Sequence, residues 1–185
     1  MTIQVHDQSP VTEASTFKLP VLRKPDGAPA GQKPTILVDT REQEPLVFTR
    51  LPSVRASLLT ADYSVLGLER LFAVERKSLQ DLANSCCGPN RERFERELLR
   101  MRSYPFGRLL IVGSEDDIHQ AKYHSNINPQ SIIGSLATWE IRFNLPVVFS
   151  ASAEQAARQL ERWAFYFARE IILSAKSIST PKPGH

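Results

Sequence analysis

The chain has 185 residues, of which 42% are hydrophobic and 23% charged, enough to bury one core and typical of a globular domain. No apolar run approaches the roughly 18 residues of a membrane span, and Met1 to Pro10 has no basic stretch followed by an apolar one, so neither a membrane helix nor a signal peptide is expected. The formal net charge of +3 does not by itself point to nucleic acid. The excess sits in Lys18, Arg23, Lys24 and Lys33 before the middle of the chain and in Lys176 and Lys182 after it, and residues 35–174 are neutral.

Residues 1–34 contain Pro10, Pro20, Pro25, Pro29 and Pro34 with little apolar periodicity, and read as a Pro-rich arm. Thr35 to Asp39 is a short apolar run ending in a carboxylate, a buried strand. Arg55 to Val65 reads as a second strand and Leu71 to Arg76 as a third, with Gly67 at the turn between them. Ser78 to Ser85 follows as a helix capped by Ser78, and Gly88-Pro89-Asn90 breaks the chain before a helix from about Arg91 to Ser103. There Phe94, Leu98 and Met101 fall at i, i+4 and i+7 on one face. Arg108 to Val112 is a buried strand, and Pro129 to Phe143 a helix whose apolar residues are Ile132, Ile133, Leu136, Trp139 and Ile141. Pro146 to Phe149 is the last strand. Ser152 to about Leu173 forms a terminal helix with Ala156, Leu160, Trp163 and Phe167 inward, and residues 175–185 read as a tail. A β-meander followed by αα, β, α, β, α makes residues 35–174 one α/β domain, a mixed central sheet flanked by helices. The adjacent Cys86 and Cys87 cannot staple a fold or build a zinc site, and fit a reducing compartment.

The chemistry concentrates in Asp62-Tyr63 and Glu75-Arg76-Lys77-Ser78. Side chains alternate along a strand, so Glu75 and Lys77 share one face and Arg76 takes the other. The turn at Gly67 brings Asp62 beside Glu75. Two carboxylates and an ammonium at one sheet edge are unfavourable without a cation, and hard oxygen ligands favour Mg²⁺ or Mn²⁺. Such a metal polarises a phosphodiester and acidifies a water, with the lysine orienting that water. Glu-x-Lys alone is weak, since surface strands carry the same spacing as a solvated ion pair. Two features favour a site: apolar Phe72 and Val74 lead directly into the charges, and Val38-Asp39-Thr40-Arg41-Glu42 ends another buried strand in an acid–base–acid cluster.

Val38-Asp39-Thr40-Arg41-Glu42, Asp62-Tyr63, Glu75-Arg76-Lys77 and Asp81 together resemble the nuclease domain of the XPF/Mus-type structure-specific endonucleases, whose signature is Gly-Asp, a gap, and Glu-Arg-Lys-x-x-x-Asp. The likeness continues through Asn90-Arg91-Glu92-Arg93-Phe94 and Leu109-Leu110-Ile111-Val112, over about residues 35 to 170. It implies a restriction-endonuclease-like fold, Mg²⁺ or Mn²⁺ dependence and incision of branched DNA such as 3′ flaps and splayed arms, in repair, recombination or phage DNA processing. By position, Asp62 and Glu75 are metal ligands with Asp39 as a further acid. Lys77 is the catalytic lysine, and Arg41, Glu42, Arg76 and Asp81 are supporting residues that hold the site or contact phosphate. Ala61 replaces the signature glycine. The tandem helix-hairpin-helix and helicase modules that give the family much of its DNA grip are not found in these residues.

Arg93, Arg96 and Arg100 share a helix face suited to phosphate, Arg93 matching a family position. The competing reading pairs Glu92 with Arg96 and Arg93 with Glu97 on a solvated helix. Trp139, Trp163, Phe165, Tyr166 and Phe167 are spaced for core or dimer contacts rather than base stacking, and the resemblance implies a homodimer through the terminal helices. His119 and His124 read as exposed loop residues. The Pro-rich arm offers a place for a partner protein. The expected setting is the cytoplasm of a bacterium or phage-infected cell, or a nucleus. Two other classes stay open: a catalytically silent nuclease-like DNA-binding or scaffold subunit, and a phosphodiesterase for small nucleotides. The first would be expected to have lost Asp62, Glu75 or Lys77, and the second lacks an enclosed-pocket signature.

Overall fold

The computed structural model describes residues 33–179, so all but the last two residues of the N-terminal arm, and the last residues of the tail, lie outside it. The elements run β1 (Ile36–Asp39), β2 (Ser53–Ala56), β3 (Tyr63–Val65), β4 (Phe72–Ser78), α1 (Leu79–Asn84), α2 (Gly88–Met101), β5 (Phe106–Val112), α3 (Glu115–His119), α4 (Pro129–Phe143), β6 (Val147–Ser150) and α5 (Ala153–Ser179). Six strands form one mixed sheet in the order β2-β1-β3-β4-β5-β6. The strand pairs β1–β3 and β3–β4 are antiparallel, and β1–β2, β4–β5 and β5–β6 are parallel. The α/β fold with a mixed central sheet flanked by helices is the one the sequence implied. No helix among the described residues is long and apolar enough to cross a membrane.

Strand alternation sorts the sheet residues between two cores. Ile36 and Val38 of β1, Tyr63 and Val65 of β3, Phe72 and Val74 of β4 and Leu110 of β5 pack against Ala156, Leu160, Ala164 and Phe165 of α5. On the other face Ala73, Leu109 and Ile111 meet Leu82 of α1, Phe94, Leu98 and Met101 of α2, and Ile132, Leu136 and Trp139 of α4. The periodicity read on the helix that is α2 therefore marks its buried stripe. Trp139 is a core residue whose indole N–H donates to Glu95, and Trp163 and Phe167 pack on the α5 side.

The expected single strand from Arg55 to Val65 is two. Strand β2 ends at Ala56 and pairs parallel with β1, and β3 begins at Tyr63 on the other side of β1. The chain must cross β1 between them, so the first three strands are not a meander. The crossing ends at Ala61, whose φ of 63° no strand residue adopts. Pro89 opens α2 instead of stopping the chain, because its missing N–H falls in the first turn. Helix α3, unforeseen in the sequence, is a single short turn made by a Ser114–Asp117 capping box, and it carries His119 in its last turn. Of the apolar residues of α4, Ile141 is 84% exposed.

Candidate active site

Val38 stands opposite Tyr63, and Tyr63 opposite Val74, all facing α5. One residue along, on the opposite face, Asp39, Asp62 and Glu75 therefore form a row across β1, the start of β3, and β4. The backbone fixes that row: Asp39 N–H donates to the Asp62 carbonyl at 2.8 Å, and Asp62 N–H to the Val74 carbonyl at 3.2 Å. The face is the one covered further along by α1 and α2, so its charged end looks into the gap between those helices.

Glu75 is 3% exposed. Its Oε1 accepts from Lys77 Nζ at 3.1 Å, while its buried Oε2 has no partner. Burial pushes its carboxyl well above the ordinary range, the charges of Asp62 and Glu97 push the same way, and Lys77 opposes them. Asp62, half-buried, accepts the Arg76 backbone N–H on Oδ2 at 2.8 Å. Its pKa is pushed up to about 7, chiefly by burial and further by Glu42 and Glu97, against the pull of the Arg76 N–H and Lys77. Lys77 Nζ also lies 4.3 Å from the centre of the Phe94 ring, a cation–π contact that holds the ammonium beside the carboxylate. A polar cleft of about 220 Å³ opens here, lined by Lys77, Asp81, Asn84, Asn90, Arg93 and Glu97 among others.

One ammonium does not neutralise two crowded carboxylates, and Glu75 Oε2 is a buried oxygen with nothing to accept from. That donor set fits a hard divalent cation. Among the described residues no three acidic, imidazole or thiol side chains converge tightly enough to chelate an ion by themselves. This is compatible with Mg²⁺, which is commonly held by one or two carboxylates with water and phosphate oxygens completing the shell.

The remaining residues singled out in the sequence sit around this centre. Asp39, 1% exposed, lies in the row, yet its oxygens accept from Arg41 N and Nε on Oδ1 and from Arg41 Nη2 and Leu58 N on Oδ2. Burial would raise its pKa, but those hydrogen bonds outweigh it and hold the carboxyl below its usual value. Arg76 points to the opposite face, 3.9 Å from Glu42 and 3.6 Å from Glu44, and serves Asp62 through its backbone N–H. Asp81 closes the start of α1, accepting the Ser78 hydroxyl on Oδ2 at 2.6 Å while its N–H donates back to Ser78 Oγ. Arg93 lines the cleft, whereas Arg96 and Arg100 are exposed outside its lining. The helix pairs that form are Arg91–Glu95 and Arg100–Glu97 rather than the two expected.

A family model for the ERCC4 domain matches residues 38–162, a span that contains every residue of this site. The chain belongs to the ERCC4 domain family. That is a nuclease family whose members are generally metal-dependent. The ERCC4 fold is seen again in the solved structure of XPF from Aeropyrum pernix, with a TM-score of 0.58 at 18% identity over 82% of this chain and 66% of that one. A second structure, XPF from Aeropyrum pernix in complex with DNA, gives 0.57 at 16% identity over 75% and 66%. The chain thus spans just under two-thirds of those solved chains. No curated protein matches it in sequence. In this ERCC4 site the acid that the motifs do not mark is Glu97 of α2. It had read as half of an ion pair with Arg93, but its spacing carried a signal: with Asn90 and Phe94 it falls at i, i+4 and i+7, the stripe that lines the cleft.

Proposed function

We propose that this chain is a metal-dependent DNA endonuclease that hydrolyses phosphodiester bonds, with branched or flap DNA as its preferred substrate. The observation that carries the reading is half-buried Asp62 beside buried Glu75, with Lys77 against the pair and Glu75 Oε2 left without a partner. Membership of a nuclease family supports the reaction class, and the DNA complex of XPF from Aeropyrum pernix supports DNA as the substrate. The preference for branches, and the setting in repair, recombination or phage DNA processing, rest on the motif resemblance.

In this reading Asp62 and Glu75 hold a Mg²⁺ or Mn²⁺ ion, which when bound polarises the scissile phosphate and acidifies a water. The chain's own residues supply the rest. Lys77 presents ammonium protons at the mouth of the cleft, where they orient a water or meet charge building on the phosphate. The Arg76 N–H fixes the direction of Asp62. Arg93 at the cleft wall offers a guanidinium fork to a neighbouring phosphate, with Arg96 and Arg100 further along the same helix. A homodimer through α5 belongs to the same proposal, supported by Tyr166 and Leu173, 47% and 44% exposed on that helix. A partner protein recruited by the Pro-rich arm is a proposal on residues outside those described.

The test incubates wild type, Glu75→Ala and Lys77→Ala with labelled flap, splayed-arm and duplex DNA in Mg²⁺, Mn²⁺ or EDTA. Cutting that needs metal and is lost in both variants is the expected result, with branched DNA cut faster than duplex. A folded wild type that binds DNA and cuts none of the three would instead favour the catalytically silent subunit.

A further inference from the structure

Helix α2 contributes an acid to the charged end of the sheet that belongs to no strand motif. Glu97 reaches across from α2 to the residue before Asp62, where its Oε1 accepts the Ala61 N–H in a long hydrogen bond of 3.4 Å. The same oxygen lies 4.0 Å from Arg100. Among the described residues its Oε2 has no partner. The side chain lines the cleft together with Lys77 and Phe94, and those two are in contact at 4.3 Å. Across the gap, Glu75 Oε2 is buried and likewise unpartnered.

Arg41 and Arg100 lie near enough to favour the Glu97 charge, but the other two acids do not gain from it. That charge raises the pKa of both Asp62 and Glu75, so without a cation it opposes their ionisation. An arginine or glutamine at the same helical position could contact the rim of the cleft without that repulsion. Ala61 adds a second cost, because an alanine at φ 63° is in the left-handed region that disfavours a Cβ. The bond to Glu97 helps hold that conformation, and the conformation sets where Asp62 emerges. Orientation of the first acid and addition of a third charge are thus joined in one side chain.

We propose that Glu97 serves the cation centre from α2, contributing its charge through water in the outer shell rather than as a third direct ligand, and positioning Asp62 through the Ala61 N–H. This rests on the reading of Asp62 and Glu75 as cation ligands. It predicts that Glu97 governs how tightly the cation is held more than how fast the loaded protein turns over.

The experiment measures Mn²⁺ binding to the full chain at pH 8 from the free-Mn²⁺ electron paramagnetic resonance signal, alongside thermal melting in EDTA. Wild type, Glu97→Gln and Glu75→Gln are compared. Glu97→Gln keeps an acceptor for Ala61 N–H and drops the charge, so Mn²⁺ binding should weaken about tenfold or more while the melting temperature in EDTA holds or rises. That opposition of signs is one a merely structural glutamate would not give. Binding equal to wild type in Glu97→Gln, with Glu75→Gln impaired, overturns the role of Glu97 and leaves the underlying site standing. A loss of binding that only follows a fall in melting temperature overturns it too. If wild type binds no Mn²⁺ and Glu75→Gln is indistinguishable from it, the cation reading itself falls and Glu97 with it.

Discussion

Lys77 Nζ donates to Glu75 Oε1 at 3.1 Å from two residues along the same strand, and the Phe94 ring lies 4.3 Å from that ammonium. The pair is almost fully withdrawn from water, with side chains 15% and 5% exposed. Removing the ammonium leaves Glu75 without its one favourable charge, so Lys77→Met should make Glu75 harder to ionise. In the proposed mechanism it also removes the ammonium assigned to the water or the phosphate. DNA cleavage at saturating Mg²⁺ should fall by about 10²-fold or more. Single-turnover cleavage of labelled DNA checks this, and circular dichroism verifies that the variant is folded. A variant that cuts within a few-fold of wild type would remove Lys77 from the chemistry.

Asp62 makes stability depend on pH in a definite direction. Burial, helped by Glu42 and Glu97, lifts its pKa from 3.8 to about 7, and Glu75 is shifted the same way. A carboxyl whose folded pKa lies above its unfolded one favours the folded state while protonated. The contribution is whole below about pH 4 and is lost as pH rises through 7. For Asp62 its upper bound is about 4 kcal/mol, three pH units at 1.36 kcal/mol each. The melting temperature in EDTA should therefore decline between pH 5 and 8. Asp62→Asn should flatten that decline. Mg²⁺ should stabilise more at pH 8 than at pH 6, because the ionised pair is the form that binds a cation. Melting curves across pH with EDTA or Mg²⁺ test all three expectations.

Much of this was legible in the residues. Buried helices and strands announce themselves by period, so Phe94, Leu98 and Met101 and the Glu75/Arg76 alternation came straight from spacing. The crossing between β2 and β3 did not, because Arg55 to Val65 is locally compatible with one long strand, and only the pairing of β1 on both sides forbids it. Ile141 sits at a helical position near the core stripe but just off it, where identity says apolar and geometry says solvent. Glu97 was hidden for a different reason. A helix acid three residues from an arginine is ordinary surface chemistry until the tertiary fold lays it beside two other acids.

Asp39 offers a separation between holding the site and belonging to it. Both its oxygens are occupied by Arg41 and the Leu58 N–H, and it is 1% exposed. Asp39→Ala strands the Leu58 N–H and releases Arg41, at a cost of about 3 kcal/mol. Asp39→Asn should cost less, since one amide oxygen can still accept. If Asp39 acts by holding the loop after β2 against β1, Mn²⁺ affinity of folded Asp39→Asn at low temperature stays within about threefold of wild type. A drop of the 10- to 100-fold size seen when a metal's supporting residues are removed would tie it to the ion as well as to the loop. Urea titration and Mn²⁺ binding on the same sample separate the two.

Glu161 of α5 ties the far side of the sheet to the same site. Its Oε1 accepts from Thr49, Arg50 and Leu51 N–H at 2.9, 2.6 and 3.1 Å, fixing the segment that leads into β2. That segment also carries Glu44, 3.6 Å from Arg76, and Leu46, whose N–H donates to the Tyr63 hydroxyl. Three charge-assisted bonds on one oxygen are strong, yet Oε2 is buried with no partner, so the carboxylate is compensated on one side only. Glu161→Ala leaves three backbone donors of a partly buried loop unmet and should cost about 2–4 kcal/mol. Glu161→Gln keeps an acceptor but places an amide NH₂ where nothing accepts, and should cost about 1–2 kcal/mol. Because Arg76 N–H aims Asp62, loosening the segment should also reduce cleavage, more in the alanine variant than in the glutamine one. Denaturant midpoints ranked wild type, then glutamine, then alanine, with cleavage in the same order, would show that the α5 clamp and the catalytic edge are one mechanical unit. Midpoints that shift while cleavage does not would show them to be independent.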